Sequence, residues 1–566
     1  GRITALIRPW MQTESQPQEL TPSPINLKSR FHGYGGGVFT AFKKDNLILT
    51  SWIDDDSNGC LWNQSWIEND DSFIDNSIYL KPVVQPMCLS KKGDFHLADG
   101  LIDFHRNRWL GVMERDRKDY IVQFLLDKKL QEPLILYQAN DFLGYLTLSR
   151  TANYLAWVEW QKPFMPWDSS QLLVAEVDQK GAMSHANIVG GDMDKETQKF
   201  SVFQPIWLPN GELVVSEDET GWWNVMIGTL NLPSDKPFLF RKLWPMEAET
   251  AMPQWVSGMS TIAASGEKII AAICRQGVWK LCELTKDGMA TLIDQPFTDL
   301  VGIDAQPGRV LLIAGNSENQ LGLVEIDLQK IHWKYTNSSK QAIFNKSISV
   351  PISFWFKGFK DRKTHSWYYP PIRGTKSSTP LLVKSHSGPT AMARTTLNLE
   401  IQFWTSRGWG VLDVNYGGSS GFGRDYRERL KGSWGEVDVM DCIKATEFLI
   451  AEGKADKDFI AIEGSSSAGL TTLGCLYLSD IFKVGACKYA VTDLVSMADS
   501  THRFEEYYLN HLLGSLPSRI NIYEKRSPIN NCNKIKSPII FFQGLKDKVV
   551  IPSQTKNMYR KLLDNH

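Results

Sequence analysis

The chain has 566 residues, with 62 Lys+Arg against 63 Asp+Glu, a formal net charge of -1, 42% hydrophobic and 22% charged residues. That length allows two large domains or about four ordinary ones. The balanced charge argues against a nucleic-acid binder, which needs a basic face, without excluding a local charged patch, and the ordinary composition argues against long disorder. No apolar run is long enough to span a membrane. The eight cysteines form no C-x-x-C pair and read as buried, reduced thiols of a cytoplasmic protein. The chain opens on Gly1 with a strand-like run, Ile3 to Ile7, so a truncated N-terminus is expected.

Residues 1–345 read as all-β, and the 20 tryptophans favour a sheet-rich part. Apolar runs recur between turn residues: Leu47–Trp52, Trp109–Met113, Tyr154–Val158, Leu213–Ser216, Ile269–Ile273 and Val310–Ala314. Most are followed by a second run, such as Leu172–Ala175 or Leu323–Ile326. A strand pair repeated at this spacing is the mark of a propeller blade. Six units are visible, and a seventh is expected where the N-terminal residues meet the end of this half. Stacked β-sandwiches are the competing architecture.

From about residue 350 strands alternate with helices, which predicts a mostly parallel sheet covered on both faces. Strands are expected at Leu381–Lys384, Trp409–Val414, Phe459–Ile462, Val484–Ala486 and Ile539–Phe542. Helices are expected at Leu397–Arg407, Val437–Ala451, Leu470–Leu478 and Ser553–Leu563. The fold class is a β-propeller, with seven blades expected, followed by an α/β-hydrolase domain over residues 346–566.

The chemistry falls in three short segments. Glu463-Gly464-Ser465-Ser466-Ser467-Ala468-Gly469 joins a strand to a helix, the setting of a nucleophile elbow. Small residues must flank the nucleophile there, and Gly464 and Ala468 lie two positions either side of Ser466. Ser466 is therefore the candidate nucleophile, with Ser465 and Ser467 as competitors and an ordinary Ser/Gly-rich turn as the bland alternative. Asp547 follows the strand Ile539–Phe542, and the order Ser then Asp is that of α/β-hydrolases. His386-Ser387-Gly388-Pro389 follows another strand, so the N–H groups of Gly388 and Ser467 are candidates for an oxyanion hole. His386 precedes the nucleophile and is not the base by chain order.

The segments Ser387-Gly388-Pro389-Thr390, Asp413 to Arg424 and Trp434 to Val439 resemble the prolyl oligopeptidase family of serine peptidases, in its acylaminoacyl-peptidase and dipeptidyl-aminopeptidase-like branch. Tyr34-Gly35-Gly36-Gly37, Met165 to Asp168 and Thr220 to Asn224 are similar to that branch's propeller. Ser387 and Ala468 depart from the family pattern but stay small. The resemblance implies a Ser-Asp-His triad that hydrolyses short peptides from the N-terminal end. It also implies that Tyr508, in Thr501 to Leu509, lines the pocket for the residue before the cut bond, a core tyrosine being the alternative. Exopeptidases similar to this family hold a free ammonium with propeller carboxylates, and Glu247 with Glu249 is the pair on offer, unless they are a solvated edge.

The base must follow Asp547. A helix, a final strand and two turns put it about 25–35 residues on, past His566. The final strand and the histidine are expected to be missing from this chain, which would then be inactive. His566 itself is the other option. No metal-ligand spacing and no phosphate loop occurs, so no metal and no cofactor is assigned. An esterase or lipase on the same fold, and a non-catalytic propeller scaffold, stay open as functions. A homo-oligomer stays open as an assembly.

Overall fold

The computed structural model describes residues 2–56, 60–69, 79–191, 200–230, 238–337 and 348–565. The first half is a ring of antiparallel sheets. One five-stranded sheet covers 39–88, and four-stranded sheets follow over 96–138, 142–191, 202–242, 262–292 and 299–336. Each of the six apolar runs named above is the second strand of its sheet, hydrogen-bonded on both edges. That position explains their composition. In Lys268–Arg275 every residue from Ile269 to Cys274 is buried, because both faces pack on neighbouring sheets and no polar alternation is needed.

Six blades are present among the described residues, not seven. The seventh position holds a two-stranded sheet, Leu6–Ile7 with Gln18–Glu19. It bridges the last sheet and the first. Arg8 pairs with Glu325 and donates to Thr336 Oγ1 at 2.9 Å, while Lys334 Nζ donates to the Met11 carbonyl at 2.6 Å. On its other side Ala5, Leu20, Ile25 and Leu27 share a core with Trp52, Trp66 and Leu80. Pro9, Pro17, Pro22 and Pro24 crowd this stretch. Each lacks the N–H a ladder needs, which keeps the strands at two residues.

The last propeller strand is His332–Thr336 and the first strand of the next sheet is Ile352–Lys357. The division expected at residue 345 falls outside the described residues. The second sheet has seven strands in the order Ile352–Lys357, Lys363–Tyr369, Gly410–Asn415, Leu381–Ser385, Ile460–Ser465, Val484–Lys488 and Ile539–Phe542. Its first two pairings are antiparallel and the other four parallel. Helices Val437–Ala451 and Ser467–Leu478 bury Val439, Ile443, Leu473 and Leu476 against Val383, Leu412 and Ile462 on one face. Helix Leu399–Thr405 packs Ile401 on Leu382, Val411 and Ala461 on the other.

Buried ion pairs lock the two halves together. Arg424 and Arg427 both reach Asp218, at 2.6 and 2.7 Å. Arg503 meets Asp119 at 2.6 Å and Glu114 at 3.0 Å and lies 4.1 Å from the Phe142 ring centroid. These pairs fix which end of the hydrolase sheet faces the propeller, and that end carries the site.

Candidate active site

Ser387 to Pro389, Ser466 and Asp547 all follow the carboxyl ends of parallel strands, the edge where open α/β sheets place ligands. They meet in one cavity of about 450 Å³, lined by Ser387, Gly388, Ser466, Ser467, Tyr508 and Asp547 from the hydrolase half and by Tyr34 and Trp255 from the propeller. The five residues predicted from sequence are thus brought together.

Ser466 sits at φ 53°, ψ -121° between strand Ile460–Ser465 and helix Ser467–Leu478. A serine pays strain for this backbone. The turn is held by Ser466 N donating to the Lys488 carbonyl at 3.0 Å and by Val491 N donating to the Ser466 carbonyl at 3.2 Å. It is also why Gly464 is required: a Cβ there would lie 2.2 Å from the Ala468 carbonyl oxygen. Ser465 ends the strand and bonds Ser387 Oγ at 2.6 Å, while Ser467 opens the helix with its hydroxyl buried. Of the three serines, only Ser466 occupies the apex.

The N–H of Ser467 belongs to the first turn of a helix, where it has no intrahelical acceptor. Gly388 has φ +70°. Neither N–H is taken by an acceptor among the described residues. The Gly388 turn is braced by His386, which bonds Ser419 Oγ at 2.7 Å through Nε2 and stacks on Tyr416 at 4.4 Å. Burial pushes this imidazole down to about 4, so it stays neutral. Asp547 Oδ1 accepts from Val549 N and Val550 N, both at 3.0 Å, which leaves Oδ2 without a partner among the described residues. No described imidazole is hydrogen-bonded to Ser466 or Asp547, and His566 lies outside the described residues.

Tyr508 is buried, and its hydroxyl bonds Thr390 Oγ1 at 2.6 Å. Its ring stands edge-on to Trp167 and Trp255, at 5.8 and 5.5 Å. With Leu509, Leu512, Val491 and Val550 it gives the cavity an apolar wall. The carboxylate pair expected from the propeller is not there. Glu249 is buried and accepts from Trp223 N at 3.0 Å and Gly423 N at 2.9 Å, so it joins propeller to hydrolase. Glu247 lies exposed in a separate groove, and neither residue is in a regular strand that would align them. Besides Asp547, Glu505 brings a carboxyl group to the lining of the active-site cavity. It accepts from Tyr34 Oη at 3.1 Å. Sequence reasoning missed this residue, although it lies within the Thr501 to Leu509 segment, because its partner is 471 positions away.

Among the described residues no group of His, Cys, Asp and Glu is arranged to hold a metal ion, and no helix is long and apolar enough to cross a membrane. Seven cysteines are buried and Cys88 is half-buried, all as free thiols.

The sequence profile of the prolyl oligopeptidase family matches residues 395–566. An acylamino-acid-releasing enzyme of Arabidopsis thaliana is 29% identical over 215 residues, which are 36% of this chain and 28% of that enzyme, so the match spans under a third of the curated relative's length. A solved puromycin-hydrolyzing peptidase of Mycobacterium tuberculosis superposes with a TM-score of 0.85 and 28% identity, covering 97% of this chain and 84% of that one. A puromycin hydrolase mutant complexed with PGG superposes with a TM-score of 0.87 and 26% identity, covering 99% of this chain and 85% of that one. The propeller-then-hydrolase order, the elbow at Ser466 and these likenesses make the chain similar to the prolyl oligopeptidase family of serine peptidases, whose profile its residues 395–566 match.

Proposed function

We propose that the protein is a serine peptidase that hydrolyses short peptides from their N-terminal end. The observation that carries this reading is the joint placement of Ser466 on a strained elbow, two unengaged N–H groups and Asp547 around one apolar cavity. Ser466 Oγ attacks the carbonyl carbon of the bond to be cut. Its proton passes to an imidazole supplied from outside the described residues, which Asp547 Oδ2 holds in the right tautomer. The carbonyl oxygen, now negative, accepts from Gly388 N–H and Ser467 N–H, and the helix beginning at Ser467 adds its positive end. Collapse expels the amine, which takes the proton back from the imidazole. Water then hydrolyses the Ser466 ester by the same steps.

Substrate size follows from the walls. Tyr34 and Trp255 come from the propeller and share the cavity with the nucleophile. A folded protein has no extended chain thin enough to enter, so short peptides are the substrates. The apolar wall around Tyr508 takes an apolar side chain next to the cut bond. Likeness to proteins named for hydrolysing puromycin, one of them complexed with the short ligand PGG, supports a small substrate.

The test compares peptide anilides with aryl esters in the full-length protein. Cleavage of anilides, lost in Ser466→Ala, supports the peptidase. Cleavage of esters alone assigns an esterase on the same fold.

A further inference from the structure

The two N–H groups offered to the oxyanion come from different loops. Gly388 follows the strand Leu381–Ser385, and Ser467 follows the strand Ile460–Ser465. The separation of the donors is therefore set by how these loops are held to each other, and a hole of the wrong width stabilises less charge. The two strands are parallel neighbours, but their pairing ends at Lys384 and Glu463. Past that point, among the described residues, the only hydrogen bonds between residues 386–390 and 464–469 are made by one pair of serines. Ser387 Oγ lies 2.9 Å from the Ser465 carbonyl oxygen and 2.6 Å from Ser465 Oγ. A carbonyl can only accept, so the Ser387 hydroxyl donates to it and the Ser465 hydroxyl donates to Ser387 Oγ.

The rest of the Gly388 loop is tied to other elements. His386 Nε2 bonds Ser419 Oγ at 2.7 Å, Tyr416 Oη donates to the Pro389 carbonyl at 2.9 Å, and Trp255 Nε1 donates to the Thr390 carbonyl at 2.8 Å. None of these reaches the elbow. The Ser465 carbonyl, by contrast, belongs to the peptide unit that leads into the strained Ser466. Ser387 therefore fastens the loop of one oxyanion donor to the loop that carries the nucleophile and the other donor. Ser387 stands where the chain departs from the family pattern, so the family motif does not supply this tie.

We propose that Ser387 is a positioning residue for the reaction, which through Ser465 sets the separation of the Gly388 and Ser467 N–H groups across Ser466. The inference rests on the peptidase reading only in taking Ser466 as the nucleophile, and the assay separates the two. In the full-length protein, kcat and KM for a peptide anilide and an aryl ester are measured in the parent, in Ser387→Ala, in Ser465→Ala and in the double variant. Loss of both hydrogen bonds predicts about 3–10-fold lower kcat in Ser387→Ala. kcat/KM falls by the same factor, because the hole acts on the transition state. Ser465→Ala keeps the bond to the carbonyl and loses less. The double variant falls no further than Ser387→Ala, since the pair acts as one unit. Fluorophosphonate labelling of Ser466, which also places an oxygen in the hole, slows by the same factor. Unchanged kcat and labelling in Ser387→Ala overturn the proposal. So does a raised KM with kcat kept, which assigns Ser387 to substrate contact, or a loss in the double variant equal to the product of the single losses. A fall in the thermal midpoint that accounts for the lost activity assigns a structural role and overturns it as well. Cleavage of the ester alone removes the peptidase reading, and the ester kcat then decides the role of Ser387.

Discussion

The elbow makes a stability prediction that singles out one serine of three. Ser466 is held at φ 53°, ψ -121°, a region that costs a residue with a Cβ about 1–3 kcal/mol. Replacing it by glycine removes that strain but adds about 0.5–1 kcal/mol of backbone entropy to the unfolded chain. The net gain is up to about 2.5 kcal/mol, with a central value of about 1 kcal/mol, or about 2–4 °C in the melting temperature of the hydrolase half. Ser466→Ala keeps the Cβ and the strain, and so gains nothing. Ser465 lies in a strand and Ser467 in a helix, so glycine at either should lower the melting temperature. Scanning calorimetry of the six glycine and alanine variants reads all of this in one experiment. A Ser466→Gly protein that melts at or below Ser466→Ala would refute the reasoning, as would a gain at 465 or 467.

Arg503→Met should destabilise the molecule by about 3–5 kcal/mol, because it removes the guanidinium from the buried Asp119 carboxylate and leaves it His32 and the Leu143 N–H; an unchanged thermal or urea midpoint would contradict this. Asp547→Asn should leave folding intact, since Oδ1 still accepts from Val549 N and Val550 N, while kcat falls by about 10⁴-fold through loss of the imidazole tautomer; a fall of less than tenfold would remove Asp547 from the mechanism. Burial pushes Glu505 up to about 7, against hydrogen bonds from Tyr34 and Thr501 and with neutral His502 beside it. Its charge is present above that pH and lost as pH falls through it. Stability should therefore fall as pH rises from about 4.5 to about 7, since the unfolded chain ionises this carboxyl first, and Glu505→Gln should flatten that part of the melting profile; identical profiles would contradict it. Gly464→Ala should cost about 10²-fold in kcat/KM, because its Cβ would meet the Ala468 carbonyl oxygen at 2.2 Å and displace the nucleophile; wild-type turnover would show that the elbow tolerates a side chain.

What the sequence reveals follows burial. The second strand of each blade is buried on both faces and hydrogen-bonded on both edges, so it reads as an apolar run, as Ile269–Cys274 does. The fourth strands lie at the rim: Leu134 and Ile135, Ile188, Leu239 and Leu292 are exposed, and no pattern separates them from loops. The N-terminal hairpin could not be counted as less than a blade from the sequence, because its closure depends on Glu325 and Thr336, more than 300 positions away. Helix Val437–Ala451 was legible to the residue, since it must bury one stripe and stops before Gly453. The place of Ser466 at the elbow was legible because sterics at a strand-to-helix turn are local. That of Glu505 was not, since its contact with Tyr34 joins residues 471 positions apart. Glu249 misled for the same reason: its charge suggested a ligand, but its partners are the N–H groups of Trp223 and Gly423.

The central claim is that Ser466 is the nucleophile, and the most direct measurement is to label the full-length protein with a fluorophosphonate and map the adduct by mass spectrometry. The account predicts a single adduct on Ser466, absent in Ser466→Ala and present in Ser465→Ala and Ser467→Ala. An adduct on Ser465 or Ser467, or labelling that survives in Ser466→Ala, would contradict it.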